Sequence, residues 1–102
     1  MYVIIVYDIS VNMVNRVCQF LRRYLNWIQN SVFEGELTES ELKKVEIGIE
    51  EIINPEEDSI IIYCLQTDKV IKKKHIGKRK RNFLLLSKLW MFIKKLIFND
   101  PR

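Results

Sequence analysis

The chain has 102 residues, 48% hydrophobic and 11% aromatic, with 17 Lys and Arg set against 13 Asp and Glu. That length makes one domain with a modest core and excludes a second folded unit. A single histidine and two cysteines are too few for a tetrahedral zinc site, and three scattered glycines, Gly35, Gly48 and Gly77, argue against a glycine-rich phosphate loop.

The formal net charge of +4 is unevenly spread: residues 1–51 carry five basic and eight acidic side chains, residues 52–102 twelve and five. Between Lys69 and Arg81, the side chains Lys69, Lys72, Lys73, Lys74, Lys78, Arg79, Lys80 and Arg81 occur without one acid. Such a run suits either a polyanion, bound in a salt-sensitive way, or a solvated loop. Cys18 and Cys64 each fall in an apolar periodic segment and no secretory leader pattern precedes them. The expectation is a reduced, cytoplasmic protein with two core thiols.

Residues 2–7 are a continuous apolar run of strand length, the pattern of a strand buried on both faces. Asp8 stands where that run stops, so its carboxylate either opens a turn or emerges at a strand end, where a rigid sheet can aim it at a ligand. A turn is expected from Asp8 to Asn12. From about Val14 to Leu25, apolar residues recur at three and four with Arg16, Gln19, Arg22 and Arg23 between them, which predicts an amphipathic helix. Trp27 to Leu37 reads as β structure, either a tight hairpin around Asn30 and Ser31 or one kinked strand.

Thr38-Glu39-Ser40-Glu41 is a capping box that opens a second helix. Its stripe of Leu42, Val45, Ile49, Ile52 and Ile53 runs to about Ile53, and Pro55 marks the stop. After the acidic turn Glu56-Glu57-Asp58, Ser59 to Thr67 supply another buried strand. The basic segment follows, then a short apolar strand, Phe83-Leu84-Leu85-Leu86, and an amphipathic tail from Ser87 onward that is too short and too lysine-rich to span a membrane. This tail could dock on a dimer, on a partner protein or on a membrane surface.

Strand, helix, strand or hairpin, helix, strand is the α+β, ferredoxin-like βαββαβ order, with both helices on one sheet face. The other face is then expected to be apolar and uncovered, and a two-fold copy of the chain would cover it.

The strand end Tyr7-Asp8-Ile9, the block Gln29-Asn30-Ser31-Val32-Phe33-Glu34-Gly35-Glu36-Leu37-Thr38 and the strand Ser59-Ile60-Ile61-Ile62-Tyr63 together resemble the CRISPR-associated Cas two family. The likeness covers roughly residues 1–86, and the tail 87–102 lies beyond it. Ile76-Gly77 followed by a short apolar strand is similar to the family's C-terminal segment, which crosses over to extend the partner's sheet. The resemblance implies a ferredoxin-like homodimer and metal-dependent endonuclease action on single-stranded RNA or double-stranded DNA. It further implies a part in spacer acquisition beside the Cas one integrase, in defence against viruses and plasmids.

It also implies that Asp8 is the catalytic, metal-binding residue, one from each protomer, with Mg²⁺ or Mn²⁺ as the cofactor. Tyr7, Arg16 and Phe33 match positions the family uses near that site or for substrate contact. Val14 and Trp27 stand where family members often carry arginine.

One carboxylate per chain gives that assignment physical content. A hydrolytic magnesium site normally takes more than one carboxylate, and a dimer supplies two. Held about 4 Å apart at an effective dielectric near 20, two such charges repel by about 4 kcal/mol, so a metal ion or a shared proton has to sit between them.

Tyr7 alternates to the sheet face opposite Asp8, which suits a core position as well as a role at the metal. Phe33 could stack on a base or pack an interface, and His75 falls in the basic segment as a solvated or catalytic histidine. The alternative to an enzyme is a non-catalytic DNA-binding dimer that bridges integrase units through Arg16, Arg22, Arg23, Lys78, Arg79, Lys80 and Arg81. A toxin-like ribonuclease sharing the fold is a third reading.

Overall fold

The computed structural model describes residues 1–66 and 69–78. The elements run β1 (Tyr2–Asp8), α1 (Val11–Leu21), β2 (Asn26–Gln29), β3 (Val32–Glu36), α2 (Glu39–Ile52), β4 (Ser59–Gln66) and β5 (Lys69–Gly77). All pairings are antiparallel in the order β2-β3-β1-β4-β5. The first four positions of that order are the ferredoxin-like arrangement, so the α+β expectation holds.

β1 lies at the centre because its residues 3–7 are apolar without a break and can be buried on both sides. It pairs with β3 from Tyr2↔Glu36 to Val6↔Val32 and with β4 from Tyr2↔Leu65 to Asp8↔Ser59. Alternation sends Val3, Ile5 and Tyr7 toward the helices. There they join Phe33, Ile60, Ile62 and Cys64 with Val17, Leu21, Leu42, Val45 and Ile49 in one core.

Helix α1 starts three residues earlier than its apolar stripe suggests, because the Ser10 carbonyl already accepts from the amides of Met13 and Val14 at 3.0 Å. The expected turn through Asn12 therefore shrinks to Ile9 and Ser10. The helix also stops at Leu21, where Arg23 and Tyr24 donate to the carbonyls of Phe20 and Leu21 in tightened turns. Leu25 still reaches the core from that turn.

The capping box forms as expected: the Glu41 amide donates to Thr38 Oγ1 at 3.1 Å and the Thr38 amide to Glu41 Oε1 at 2.9 Å. Those bonds hold the Glu41 carboxyl below its ordinary range, the backbone bond contributing most.

Between Trp27 and Leu37 the hairpin is the form adopted, turning at Asn30 and Ser31 with Asn30 at φ 45°. Trp27 Nε1 and Tyr7 Oη both donate to the Asn30 carbonyl, at 3.0 and 3.3 Å.

Two expectations need correction. Residues 69–77, read as a basic run ahead of a strand, are themselves β5, paired with β4 from Gln66↔Lys69 to Ser59↔Gly77. Charged residues occupy both faces of β5, so its period-two signal is masked. It is nonetheless suited to an edge, where lysines keep other strands from adding on. Lys73 Nζ sits 5.6 Å from the Tyr63 ring centroid, and Lys74 Nζ meets Glu46 Oε2 of α2 at 3.2 Å.

The second correction concerns the sheet face away from the helices. It is apolar, built by Ile4, Val6, Val32, Ile61, Tyr63 and Leu65, but these side chains are buried, between 0% and 3% exposed, rather than bare. Apolarity was written in the alternation of β1 and β4; exposure was not. The strand 83–86, the tail 87–102 and the residues Arg79, Lys80 and Arg81 lie outside the described residues.

Candidate active site

Asp8 closes β1 and is half-buried. Alternation places it in the row of Ile4 and Val6, on the face away from both helices. On one side the hairpin turn runs past it, with the Tyr7 amide donating to the Ser31 carbonyl at 3.0 Å. On the other stands Ser59, its register partner in β4. The carboxylate is thus carried by the central strand and framed by two neighbours, a rigid mounting for a group that has to meet a ligand.

The surroundings of Asp8 are held by a second acid, one whose local sequence marks it only as part of a turn. Asp58 is fully buried; its Oδ1 accepts from the Ser10 amide and its Oδ2 from the Asn54 amide, both at 2.9 Å. Its backbone carbonyl accepts from the Lys78 amide at 2.8 Å. One residue therefore ties together the loop after β1, the end of α2 and the exit of β5. An Asp four residues after Asn54, past a proline, carries a turn signal, and nothing local distinguishes a buried hub from a solvated turn acid.

Tyr7 and Phe33 lie on the opposite side of the sheet from Asp8. Tyr7 is 4% exposed, with its hydroxyl 3.2 Å from Cys18 Sγ, and burial, with Cys18 second, raises its phenol well above the ordinary tyrosine value. Its ring centroid is 6.0 Å from that of Phe33, which is fully buried under the helices. Phe33 is therefore open neither to a base nor to an interface between copies, because it pairs with Ile5 and shares the helix-side direction of that residue.

Arg16, Arg22 and Arg23 are exposed on and just after α1. Arg16 and Arg23 line a shallow cleft of about 320 Å³ with Gln19, Phe20 and Ile52. Lys69, Lys72 and Lys73 are exposed along β5, and Lys78 is exposed just beyond it, while Lys74 is engaged by Glu46.

His75 is not a loop residue. It sits in β5 opposite Ile61, hence on the Asp8 face, with Nε2 3.0 Å from Ser59 Oγ. Among the described residues no group of three or more His, Cys, Asp or Glu side chains is arranged to hold a metal ion. Among those same residues, no helix is long and apolar enough to cross a membrane.

Comparison with known proteins places these features in context. Residues 1–73 match the family model described as CRISPR associated protein Cas2. A protein of Archaeoglobus fulgidus named CRISPR-associated endoribonuclease Cas2 2 is 51% identical over 79 residues, 78% of this chain and 86% of its own. A Methanocaldococcus jannaschii protein named CRISPR-associated endoribonuclease Cas2 is 50% identical over 80 residues, 78% of this chain and 70% of its own.

Among solved structures, one titled crystal structure of cas2 superposes with a TM-score of 0.63 at 43% identity, covering 79% of this chain and 90% of the other. Streptococcus pyogenes Cas2 at pH 6.5 superposes with a TM-score of 0.61 at 29% identity, covering 65% and 87%.

Proposed function

This chain belongs to the CRISPR associated protein Cas2 family, and from that premise we propose that it is a cytoplasmic CRISPR-associated endoribonuclease acting through the Asp8 carboxylates of two copies. The observation that carries the proposal is the mounting of Asp8: a half-buried carboxylate at the end of the central strand, on the face away from the helices, framed by the hairpin turn and Ser59.

One protomer offers one such carboxylate, and a second copy adds another. Two carboxylates are hard oxygen donors of the kind Mg²⁺ or Mn²⁺ takes, so the pair fits the cofactor. When bound, such an ion supplies Lewis-acid polarisation of a phosphodiester. The chain's own residues do the rest. Asp8 holds its charge at a fixed place on the sheet, the exposed lysines of β5 and Lys78 attract the phosphate backbone, and Arg16 and Arg23 present two further cations beside α1. Because a metal-binding carboxylate has to be deprotonated, ion occupancy and cleavage fall together on acidification.

Single-stranded RNA incubated with wild type and with Asp8→Ala, prepared identically, tests this reading. Cleavage by the wild type that is lost by at least 100-fold in Asp8→Ala supports it, and equal cleavage by the two removes it.

A second reading is favoured by the basic edge. Lys69, Lys72 and Lys73 line an exposed strand without an acid among them, which suits a DNA-binding dimer that spaces Cas one integrase units during spacer acquisition, its own chemistry dispensable. The two readings are compatible, and cleavage of double-stranded DNA belongs to the enzymatic one.

A further inference from the structure

Among the described residues, Trp27 is the only aromatic side chain that is exposed, with 51% of the residue in solvent. Its ring is nevertheless tied down. Nε1 donates to the Asn30 carbonyl at 3.0 Å, and the same carbonyl accepts from Tyr7 Oη at 3.3 Å. The polar handle of the indole is thus spent on the protein, while half of the residue stays in water. A lone exposed apolar side chain needs no explanation, but this one has a cation beside it. Arg22 is exposed, and its charge is near enough to Tyr7 Oη to oppose burial and Cys18, the two causes that raise that phenol. The acid next to Phe33, the register partner of Trp27, is Glu34, which alternates to the other face and is bonded by Tyr2. The indole therefore stands on a cationic side of the hairpin.

We propose that Trp27 is a stacking platform for one unpaired base of a single-stranded nucleic acid, with the Arg22 guanidinium taking a neighbouring phosphate. An oriented, half-exposed ring beside a cation is the combination that holds single strands, because every base has a face to stack and every nucleotide a charge to neutralise. Bases inside a duplex are already stacked on one another, so the platform selects against paired substrates. The proposal rests on the ribonuclease reading and narrows its substrate to a strand with unpaired bases. Placement agrees with that role. Trp27 is two strands from β1, about 10 Å across the sheet, and the turn that anchors the indole also accepts the Tyr7 amide next to Asp8. A single strand passing round that turn meets both residues.

Binding of single-stranded RNA and of an RNA duplex of equal length, with a chelator present to keep the RNA whole, tests the proposal on the full chain. Trp27→Ala and Trp27→Leu are each expected to weaken single-strand binding about 10-fold, and Trp27→Phe, which keeps a ring, to retain most of it. The salt dependence is unchanged in Trp27→Ala and falls by about 0.7 in the logarithmic slope in Arg22→Ala. Duplex binding is the same in wild type and in all three Trp27 variants. Trp27 and Trp90 are the two tryptophans, so the emission of Trp90→Phe belongs to Trp27; single-stranded RNA quenches it and the duplex does not.

Trp27→Leu binding single strands as tightly as wild type, duplex binding equally sensitive to Trp27, a slope untouched by Arg22→Ala, or emission indifferent to bound single strands overturns the proposal. Trp27→Ala that dissociates a dimer while leaving RNA affinity unchanged does so too, by making the indole a protein contact. If Trp27→Ala does not fold, Trp27→Phe against Trp27→Leu and the quenching decide. RNA cleavage indifferent to Asp8→Ala would remove the proposed activity and leave the stacking site standing. Asp8-dependent cleavage beside RNA binding blind to Trp27 would remove only the stacking site.

Discussion

Asp58 shows how much one buried acid can carry. Both carboxylate oxygens are taken by backbone amides, those of Ser10 and Asn54, so replacing it with Asn turns one acceptor into a donor facing another donor. Leaving a buried polar group unsatisfied costs about 1–3 kcal/mol, and Asp58→Asn is expected to lose about 2 kcal/mol in urea denaturation with an unchanged slope. Gly77 is bound to the same residue: at φ 91° a Cβ would stand 2.1 Å from the Asp58 carbonyl oxygen, so no side chain fits there.

Tyr7 sets a pH dependence. Its phenol is raised by burial first and Cys18 second, so the folded state holds the proton more tightly than the unfolded chain does. That contribution is complete below about pH 10, the ordinary tyrosine value, and is lost as pH climbs toward the folded value. Urea midpoints measured between about pH 8 and 11 are expected to fall more steeply for wild type than for Tyr7→Phe; parallel curves would contradict this. Tyr2, raised by burial and by its bond to Glu34, adds the same trend to both proteins.

At the scale of the element, β5 is the instructive case. Glu46 of α2 is buried, with 7% of its side chain exposed, and it is held by Lys74, 38% exposed. Removing the lysine leaves an acid in the core's rim without its partner. Discounted for the partly solvated lysine, Lys74→Met is expected to cost about 1–2 kcal/mol. Glu46→Leu added to Lys74→Met should recover most of it, and a double mutant no better than the single one would sever β5 from α2 energetically.

The sequence made some elements plain and hid others for physical reasons. α2 was legible to within a residue because a capping box and an apolar stripe agree. β1 and β4 were legible because unbroken Val and Ile runs admit little else. β5 was not, since the consecutive lysines 72–74 put charge on both of its faces and mask the period of two. At the site, Asp8 stood out as the acid ending an apolar run, and its opposition to Tyr7 follows from alternation alone. Ser59 did not stand out, because only the register of β4 with β1 sets it opposite Asp8, and register is a long-range property.

For the whole molecule, the proposed function joins two copies through their Asp8 ends and places nucleic acid along basic surfaces. Charge reversal at Lys78, Arg79, Lys80 and Arg81 is expected to weaken single-stranded RNA binding and to flatten its salt dependence, by about 0.7 in the logarithmic slope for each phosphate no longer neutralised. An unchanged slope would take those residues out of the interface.

Pairing itself is tested most directly by counting metal. Mn²⁺ titrated into wild type and Asp8→Ala, with free ion followed by electron paramagnetic resonance and mass by sedimentation, should give one tightly bound ion per two chains in the wild-type dimer. No such ion should be bound by Asp8→Ala, with the dimer intact. One ion per chain, binding indifferent to Asp8→Ala, or a wild type that stays monomeric with the metal bound would contradict the account.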